Sequence, residues 1–108
     1  IRMYRQVEWL GEQIRGFKAR KETFQASIDA RLKVLEKLRV ERAELEPFAK
    51  QSPKMLFELD KRILRLQQEI DHFENGLVSS DKKIIFLTKR LLSEVALIAE
   101  IITYPVNG

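Results

Sequence analysis

The chain contains one histidine, His72, and it follows Glu69 by three residues in a Glu-x-x-His motif. On a helix this spacing puts both side chains on one face, and carboxylate-bridged di-iron proteins use it to hold metal. Such a site needs two copies of the motif and further inward-facing glutamates, whereas this sequence has one copy. We therefore predict that His72 lies at the surface and that the chain has no metal site and no cofactor.

No other combination of residue types predicts catalysis. The sequence has no cysteine and only one histidine, so it holds neither a thiolate nucleophile nor the elements of a Ser/His/Asp triad. Gly11 and Gly16 match no phosphate-binding loop. The carboxylates of Asp60, Asp71 and Glu74 are expected on a solvated helix face. The sequence therefore predicts a protein that is not an enzyme.

Basic residues are concentrated in the first third of the chain. The densest group is Arg15, Lys18, Arg20 and Lys21. Together with Arg5 they predict phosphate contacts along one helical face, as in an arm that binds RNA, tRNA or DNA. The competing interpretation is a solvated flank, because Glu8, Glu12 and Glu22 are interspersed. Stacking on bases would need more aromatic residues than Trp9. We therefore keep nucleic-acid binding as an alternative function and not as the main prediction.

Long helices must position these residues, because apolar residues recur at alternating spacings of three and four. We number the heptads with Val7 and Leu56 at position a, and call the a and d positions of each helix its seam. The first seam is Met3, Val7, Leu10, Ile14, Phe17, Lys21, Phe24, Ile28, Arg31, Leu35, Leu38, Arg42 and Leu45. The second is Leu56, Leu59, Ile63, Leu66, Ile70, Phe73, Leu77, Ser80, Ile84, Leu87, Leu91, Glu94, Ile98 and Ile101. Seams of this length are typical of helices that pair as coiled coils.

Prolines mark the predicted helix boundaries. Pro47 ends the first helix because it lacks an amide proton and disfavours helical geometry in the residue before it. Ser52 and Pro53 are the residue types preferred at the N-cap and first position of a helix. The second helix is expected to end near Tyr104, before Pro105. The predicted elements of this single domain are helix 1 at about 2–46, a connector at 47–52 and helix 2 at about 53–104.

A connector this short predicts an antiparallel pair of helices. The expected fold is all-α, a long antiparallel two-helix coiled-coil hairpin in which Leu45 faces Leu56. In this register Lys21 faces Ser80, and one such polar layer can specify the alignment. The seam residues Arg31 and Arg42 are expected to pack their stems while their charged heads reach water.

Helix 2 contains one stretch with the composition of a turn. Asn75-Gly76 followed by Ser79-Ser80-Asp81 combines turn and N-cap residues, and a break near Asn75–Ser80 would give a three-helix bundle. The heptad phase nevertheless continues through this stretch, which a loop would not preserve. A single glycine costs only about 1 kcal/mol in a helix interior. A continuous helix 2 is the favoured prediction.

A second stripe, of apolar or small residues, begins at Val78, at heptad positions b and e. We call it the outer stripe. Its residues are Val78, Ile85, Thr88, Leu92, Val95, Ala99 and Ile102, and Asp81 is the one charged exception among these positions. It lies about 100° round the helix from the seam. Earlier in helix 2, polar residues occupy matching positions, namely Asp60, Gln67, Asp71 and Glu74. The predicted partner-binding residues are Tyr4, Ile85, Leu92, Val95, Ala99 and Ile102, with Ile1, Leu97 and Tyr104 expected to border them.

The outer stripe predicts the function, because a two-stranded hairpin buries only one seam. We expect a non-catalytic interaction and assembly module that oligomerises, or docks the helices of a partner protein, through the open end of the hairpin. Another chain or copy would complete a three- or four-helix bundle; the alternative is that further residues of the same polypeptide cover the stripe. No window of about 20 residues lacks charge, which predicts no membrane span. The absence of cysteine favours an intracellular location.

Overall fold

The computed structural model describes residues 2–103, and the side chains of residues 4–102. Helix α1 is Arg2–Leu45, a 3-10 helix follows at Glu46–Phe48, and helix α2 is Pro53–Thr103. No residue between 2 and 103 lies in a strand. The predicted all-α helical hairpin is confirmed. The predicted roles of Ile1, the Met3 side chain, Tyr104 and Pro105 fall outside the described residues.

The connector turns the chain with backbone hydrogen bonds. Its 3-10 helix has Pro47 near its start, where the missing amide proton removes no hydrogen bond. The Phe48 carbonyl accepts from the amides of Gln51 and Ser52, each at 3.0 Å, and the Leu56 amide then donates to the Ser52 carbonyl at 3.2 Å. Helix α2 therefore begins where Ser52 and Pro53 predicted it.

The chain divides into two compact units, each with one stretch of α1 and one of α2. We call residues 1–21 with 78–108 the terminal unit, and residues 22–77 the connector unit. In the terminal unit Leu10, Ile14 and Leu87 form the buried core. Three partly buried residues pack against it: Phe17, Ile84 and Leu91. The core therefore consists of the predicted seam residues.

The connector unit is built in the same way. Its core cluster is Ile28, Leu35 and Ile70, and Leu38 and Leu59 are also buried. Partly buried seam residues close the cluster: Ile63, Leu66, Phe73 and Leu77. Burying such a side chain contributes about 1.5–3 kcal/mol each. In residues 4–102, every buried side chain occupies a predicted a or d position.

The basic seam residues Lys21, Arg31 and Arg42 are paired across the helices with carboxylates. In the terminal unit, Lys21 forms an ion pair with Asp81, beside the buried Ser80 that was expected to face it. In the connector unit, Arg31 donates from Nε to Glu69 at 2.8 Å and from a terminal nitrogen to the Ser27 carbonyl at 3.1 Å. The heads of these residues are therefore bound by partners rather than merely solvated.

Arg31 and Arg42 also show the direction of the two stretches in the connector unit. Arg42 donates to Asp60 and, at 2.6 Å, to Glu46. Moving along α1 from Arg31 to Arg42 moves the partner on α2 backwards, from Glu69 to Asp60, so the stretches are antiparallel. The hydrogen bond that Arg42 donates to Asp60, and then the one it donates to Glu46, raise the pKa of Arg42 above its ordinary value.

Helix α2 is continuous through Asn75–Ser80, so the alternative three-helix bundle is wrong. Gly76 has a different role. A Cβ added to Gly76 would lie 2.9 to 3.2 Å from three ring carbons of Phe24. The Phe24 ring is itself held by Phe73, with the ring centroids 6.1 Å apart. The glycine therefore makes room for an aromatic ring instead of breaking the helix.

This contact predicts opposite effects for two glycine-to-alanine substitutions. Gly76→Ala should lower the free energy of unfolding by about 1–3 kcal/mol, because the new methyl group overpacks against Phe24. Gly16→Ala is the matched control, since nothing lies within 4 Å of its added Cβ. It should raise the free energy of unfolding by about 0.5–1 kcal/mol through helix propensity. Urea denaturation of both variants measures the difference, and equal stabilisation by both would contradict the packing role.

The Arg31–Glu69 pair predicts measurable coupling. In a double-mutant cycle with Arg31→Met and Glu69→Gln, we expect a coupling energy of about 0.5–1 kcal/mol, because both side chains are partly exposed. The coupling should shrink in high salt as the charges are screened. Arg31→Met with Asp71→Asn is the control cycle and should be additive. A Glu69 cycle that is also additive would show that the ion pair contributes nothing to stability.

Candidate protein-docking surface

The outer stripe lies on one face of the terminal unit and is uncovered in the described structure. The direction of the outer stripe follows from that of the seam. Leu87 is buried in the seam, and the b and e positions lie about 100° round α2 from the a and d positions of the seam. The exposed fractions of its aliphatic side chains run from 45% for Val95 to 65% for Ile102. Asp81 and Thr88 are half-buried. An apolar surface therefore runs along α2 beside the buried seam.

All six predicted partner-binding residues are exposed. Five of them share one face of α2: Ile85, Leu92, Val95, Ala99 and Ile102. Tyr4 on α1 is 57% exposed. Leu97, which was expected to border these residues, is 44% exposed. Leu97 lies about 140° round the helix from Leu92, so it belongs to the other flank.

The far end of the α2 seam also departs from expectation. Ile101 occupies a seam position but is 56% exposed. The stretch of α1 that would face it lies at the limit of the described residues. Ile101 therefore adds to the uncovered apolar surface formed with Ile102.

Sequence reasoning missed four exposed apolar residues on α2, namely Met55, Phe57, Leu64 and Phe86. Phe86, next to Ile85, is 63% exposed and widens the apolar surface of the terminal unit. In the connector unit Phe57 and Leu64 occupy b positions and are 62% and 54% exposed. Phe57 and Leu64 can both be identified in the sequence by looking for apolar residues at position b alone, which recurs every seven residues. The expected contrast between the ends of α2 holds for the e positions, where Asp60, Gln67 and Glu74 are polar.

The connector unit carries an open groove that the sequence did not predict. It has a volume of about 370 Å³ and an apolar floor formed by Leu45, Met55 and Leu59. Charged residues of both signs form its rim: Glu41, Lys54, Glu58 and Arg62. A smaller hollow of about 150 Å³ shares Arg62 and is lined by Val34, Leu38, Arg65 and Leu66.

The basic cluster is divided among different environments. Lys21 is paired with Asp81, and the Arg20 guanidinium lies 5.2 Å from the centroid of the Phe17 ring. Arg15 and Lys18 are exposed and lie about 60° apart on the helix, whereas Arg20 is about 140° from Arg15. The four residues do not share one face, contrary to expectation. Phosphate binding by Arg15, Lys18, Arg20 and Lys21 stays a prediction.

The Glu-x-x-His motif is used structurally. His72 is exposed and contacts the Phe73 ring edge-on at 5.6 Å between centroids. Glu69 accepts the hydrogen bond from Arg31 at 2.8 Å. Within residues 4–102 no group of three or more His, Cys, Asp or Glu side chains is arranged to hold a metal ion. The motif therefore supports packing and pairing in the connector unit.

Across the described part of α1 and α2, no stretch is long and apolar enough to cross a membrane.

No protein-family model matches the sequence, and no curated protein or solved structure is significantly similar to it.

Proposed function

We propose that this chain is a non-catalytic assembly module that docks a further helix on the outer stripe. The observation that supports this most is the uncovered run of aliphatic side chains beside an already buried seam. Monomeric proteins rarely leave large contiguous apolar patches exposed, and such patches mark sites of interaction. A helix laid along α2 would bury this run as a second seam.

The spacing of the outer stripe fits a helical occupant. Its members alternate at intervals of three and four residues, which is the spacing that knobs-into-holes packing requires. Roughly half of each aliphatic side chain remains to be buried, so each contributes on the order of 1 kcal/mol on docking. Several such contributions are needed to offset the cost of association. Introducing one charge into the stripe should therefore weaken docking strongly.

The nucleic-acid alternative has less support from the geometry. A phosphate-binding face needs several unengaged cations in one line. Here Lys21 is engaged by Asp81, and Arg20 lies on a different flank from Arg15 and Lys18. A second alternative to docking of a partner helix is that further residues of the same polypeptide cover the outer stripe. This alternative would use the same surface.

Leu92→Glu tests the proposal. Leu92 lies in the middle of the outer stripe and is 62% exposed, so the substitution should abolish association while leaving the helical circular dichroism unchanged. Association is measured as the mass in solution by analytical ultracentrifugation, alone and with any partner protein under study.

Leu64→Glu is the matched control for this test. It has the same residue type, the same helix and the same heptad position, and it is 54% exposed, but it lies in the connector unit. We expect it to leave association intact. If Leu92→Glu and Leu64→Glu behave alike, the outer stripe is not the docking surface.

A further inference from the structure

We infer that one face of α2 in the terminal unit binds the surface of an anionic lipid membrane, with the Phe86 ring inserted among the lipid headgroups. We call it the Phe86 face, and it consists of Lys82, Lys83, Phe86, Lys89 and Arg90. It is separate from the outer stripe, since Phe86 lies about 120° round α2 from Leu92. The inference therefore does not rest on the proposed docking function.

The helical period gathers these five residues around the aromatic ring. Lys83 and Arg90 lie on one side of Phe86, and Lys82 and Lys89 lie on the other, within a sector of about 120°. The two pairs of cations that follow each other along α2 are about 10 Å apart, with Phe86 between them. All five side chains are exposed, and the exposed fraction of Phe86 is 63%. The result is an exposed ring surrounded by four positive charges.

The four cations have no carboxylate to neutralise them. Residues 82–93 contain no Asp or Glu. Within residues 4–102 no ion pair or hydrogen bond involves these four side chains, whereas Lys21, Arg31 and Arg42 each pair with a carboxylate. Asp81, next along the chain, is engaged by Lys21. The Phe86 face therefore presents all four charges to a partner.

The neighbouring flank of α1 has no carboxylate at its g positions. In an antiparallel pair the g positions of both helices lie on one side, as those of Glu41 and Arg62 do in the groove of the connector unit. In the terminal unit the g positions of α1 are Gln6, Gln13 and Arg20. Two amides and a fifth cation therefore adjoin the Phe86 face.

The aromatic ring at the centre favours a lipid surface over a nucleic acid. Helix faces that combine basic side chains with Phe and Leu lie in the membrane interface, where the long stems of lysine let the charges reach lipid phosphates around an inserted ring. Leu97 is 44% exposed and lies about 20° round the helix from Phe86, so it extends the apolar line. Single-stranded nucleic acid binds instead in grooves, where several aromatic rings stack on successive bases. The Phe86 face has one ring on a convex helix.

The number of charges sets the expected strength of binding. Each Lys or Arg near an anionic membrane raises the partition coefficient about fivefold, so the four together raise it on the order of several hundredfold. Insertion of the Phe86 ring contributes about another tenfold. Binding should therefore be reversible, weakened by salt and absent from neutral membranes.

The first experiment measures cosedimentation of the full chain with vesicles of phosphatidylcholine that contain about 30% phosphatidylserine. We expect binding to these vesicles, none to pure phosphatidylcholine vesicles, and binding at least about tenfold weaker when salt is raised from about 0.1 M to about 0.5 M. Lys82→Gln combined with Lys89→Gln should weaken binding about 25-fold.

Lys54→Gln combined with Lys61→Gln is the matched control for charge. These two lysines are exposed and occupy the same heptad position at the same spacing on α2, but they lie in the connector unit. This variant should bind the anionic vesicles as the wild type does.

The second experiment tests insertion of the ring. Phe86→Ala should weaken vesicle binding about tenfold, because the ring no longer leaves water on binding. Phe57→Ala is the control and should bind normally, although Phe57 is 62% exposed on the same helix. Trp9→Phe combined with Phe86→Trp moves the single tryptophan to the Phe86 face. Its fluorescence emission should shift to shorter wavelength when the anionic vesicles are added.

The outcomes separate the lipid surface from other polyanions. Absence of binding to the anionic vesicles overturns the inference, and retention of labelled oligo(dT) in that case assigns the Phe86 face to nucleic acid. Equal weakening by the Lys82 and Lys89 variant and by its Lys54 and Lys61 control shows attraction by net charge alone and overturns the inference as well. So does vesicle binding that Phe86→Ala leaves unchanged. None of these results affects the proposed docking function, which depends on the outer stripe.

Discussion

The burial of the a and d side chains is the interaction on which the rest of this structure depends. Leu10, Ile14 and Leu87 in the terminal unit, and Ile28, Leu35 and Ile70 in the connector unit, are removed from water by the facing helix. Within residues 4–102 every buried side chain occupies an a or d position, so most of the stabilisation comes from these contacts. Once the seam is buried, the direction of every other side chain on each helix follows from the 3.6-residue period.

Charged residues in the seam add alignment to this non-directional burial. Apolar contacts alone tolerate a shift of one heptad, because leucine and isoleucine recur at each layer. Lys21, Arg31 and Arg42 each reach a carboxylate on the other helix within their own unit. A shift of one heptad would bring Arg31 to Arg62 or Gly76, and Arg42 to Pro53 or Gln67, in place of their carboxylates, at a cost in electrostatic pairing. The ion pairs contribute little to stability because they are partly exposed, but they disfavour the shifted alignments.

Several details followed from atomic packing that the heptad pattern does not encode. Gly76 was recognised as a residue able to break a helix, yet the Phe24 ring occupies the space beside it. Arg31 was expected to extend into water, yet its guanidinium lies 4.5 Å from the centroid of Phe73 and pairs with Glu69. Such contacts depend on the rotamers of long side chains, and the sequence does not specify those rotamers. The open groove at Met55 was missed for the same reason, since its shape depends on side chains from both helices.

The candidate docking surface was largely readable from the sequence, because it depends on helical phase alone. The large aliphatic side chains of the outer stripe are exposed where the b and e positions predicted them, whereas the exposed Phe86, Phe57 and Leu64 were overlooked. The sequence by itself determined that the chain forms two helices, which residues face between them, and where a second apolar face begins. Periodicity carries this information because each side chain's direction is set by its position along a regular helix. Only the tertiary structure decided which charged groups meet, why Gly76 is tolerated within α2 and how far each apolar side chain remains exposed, because these depend on distances between atoms far apart in the sequence.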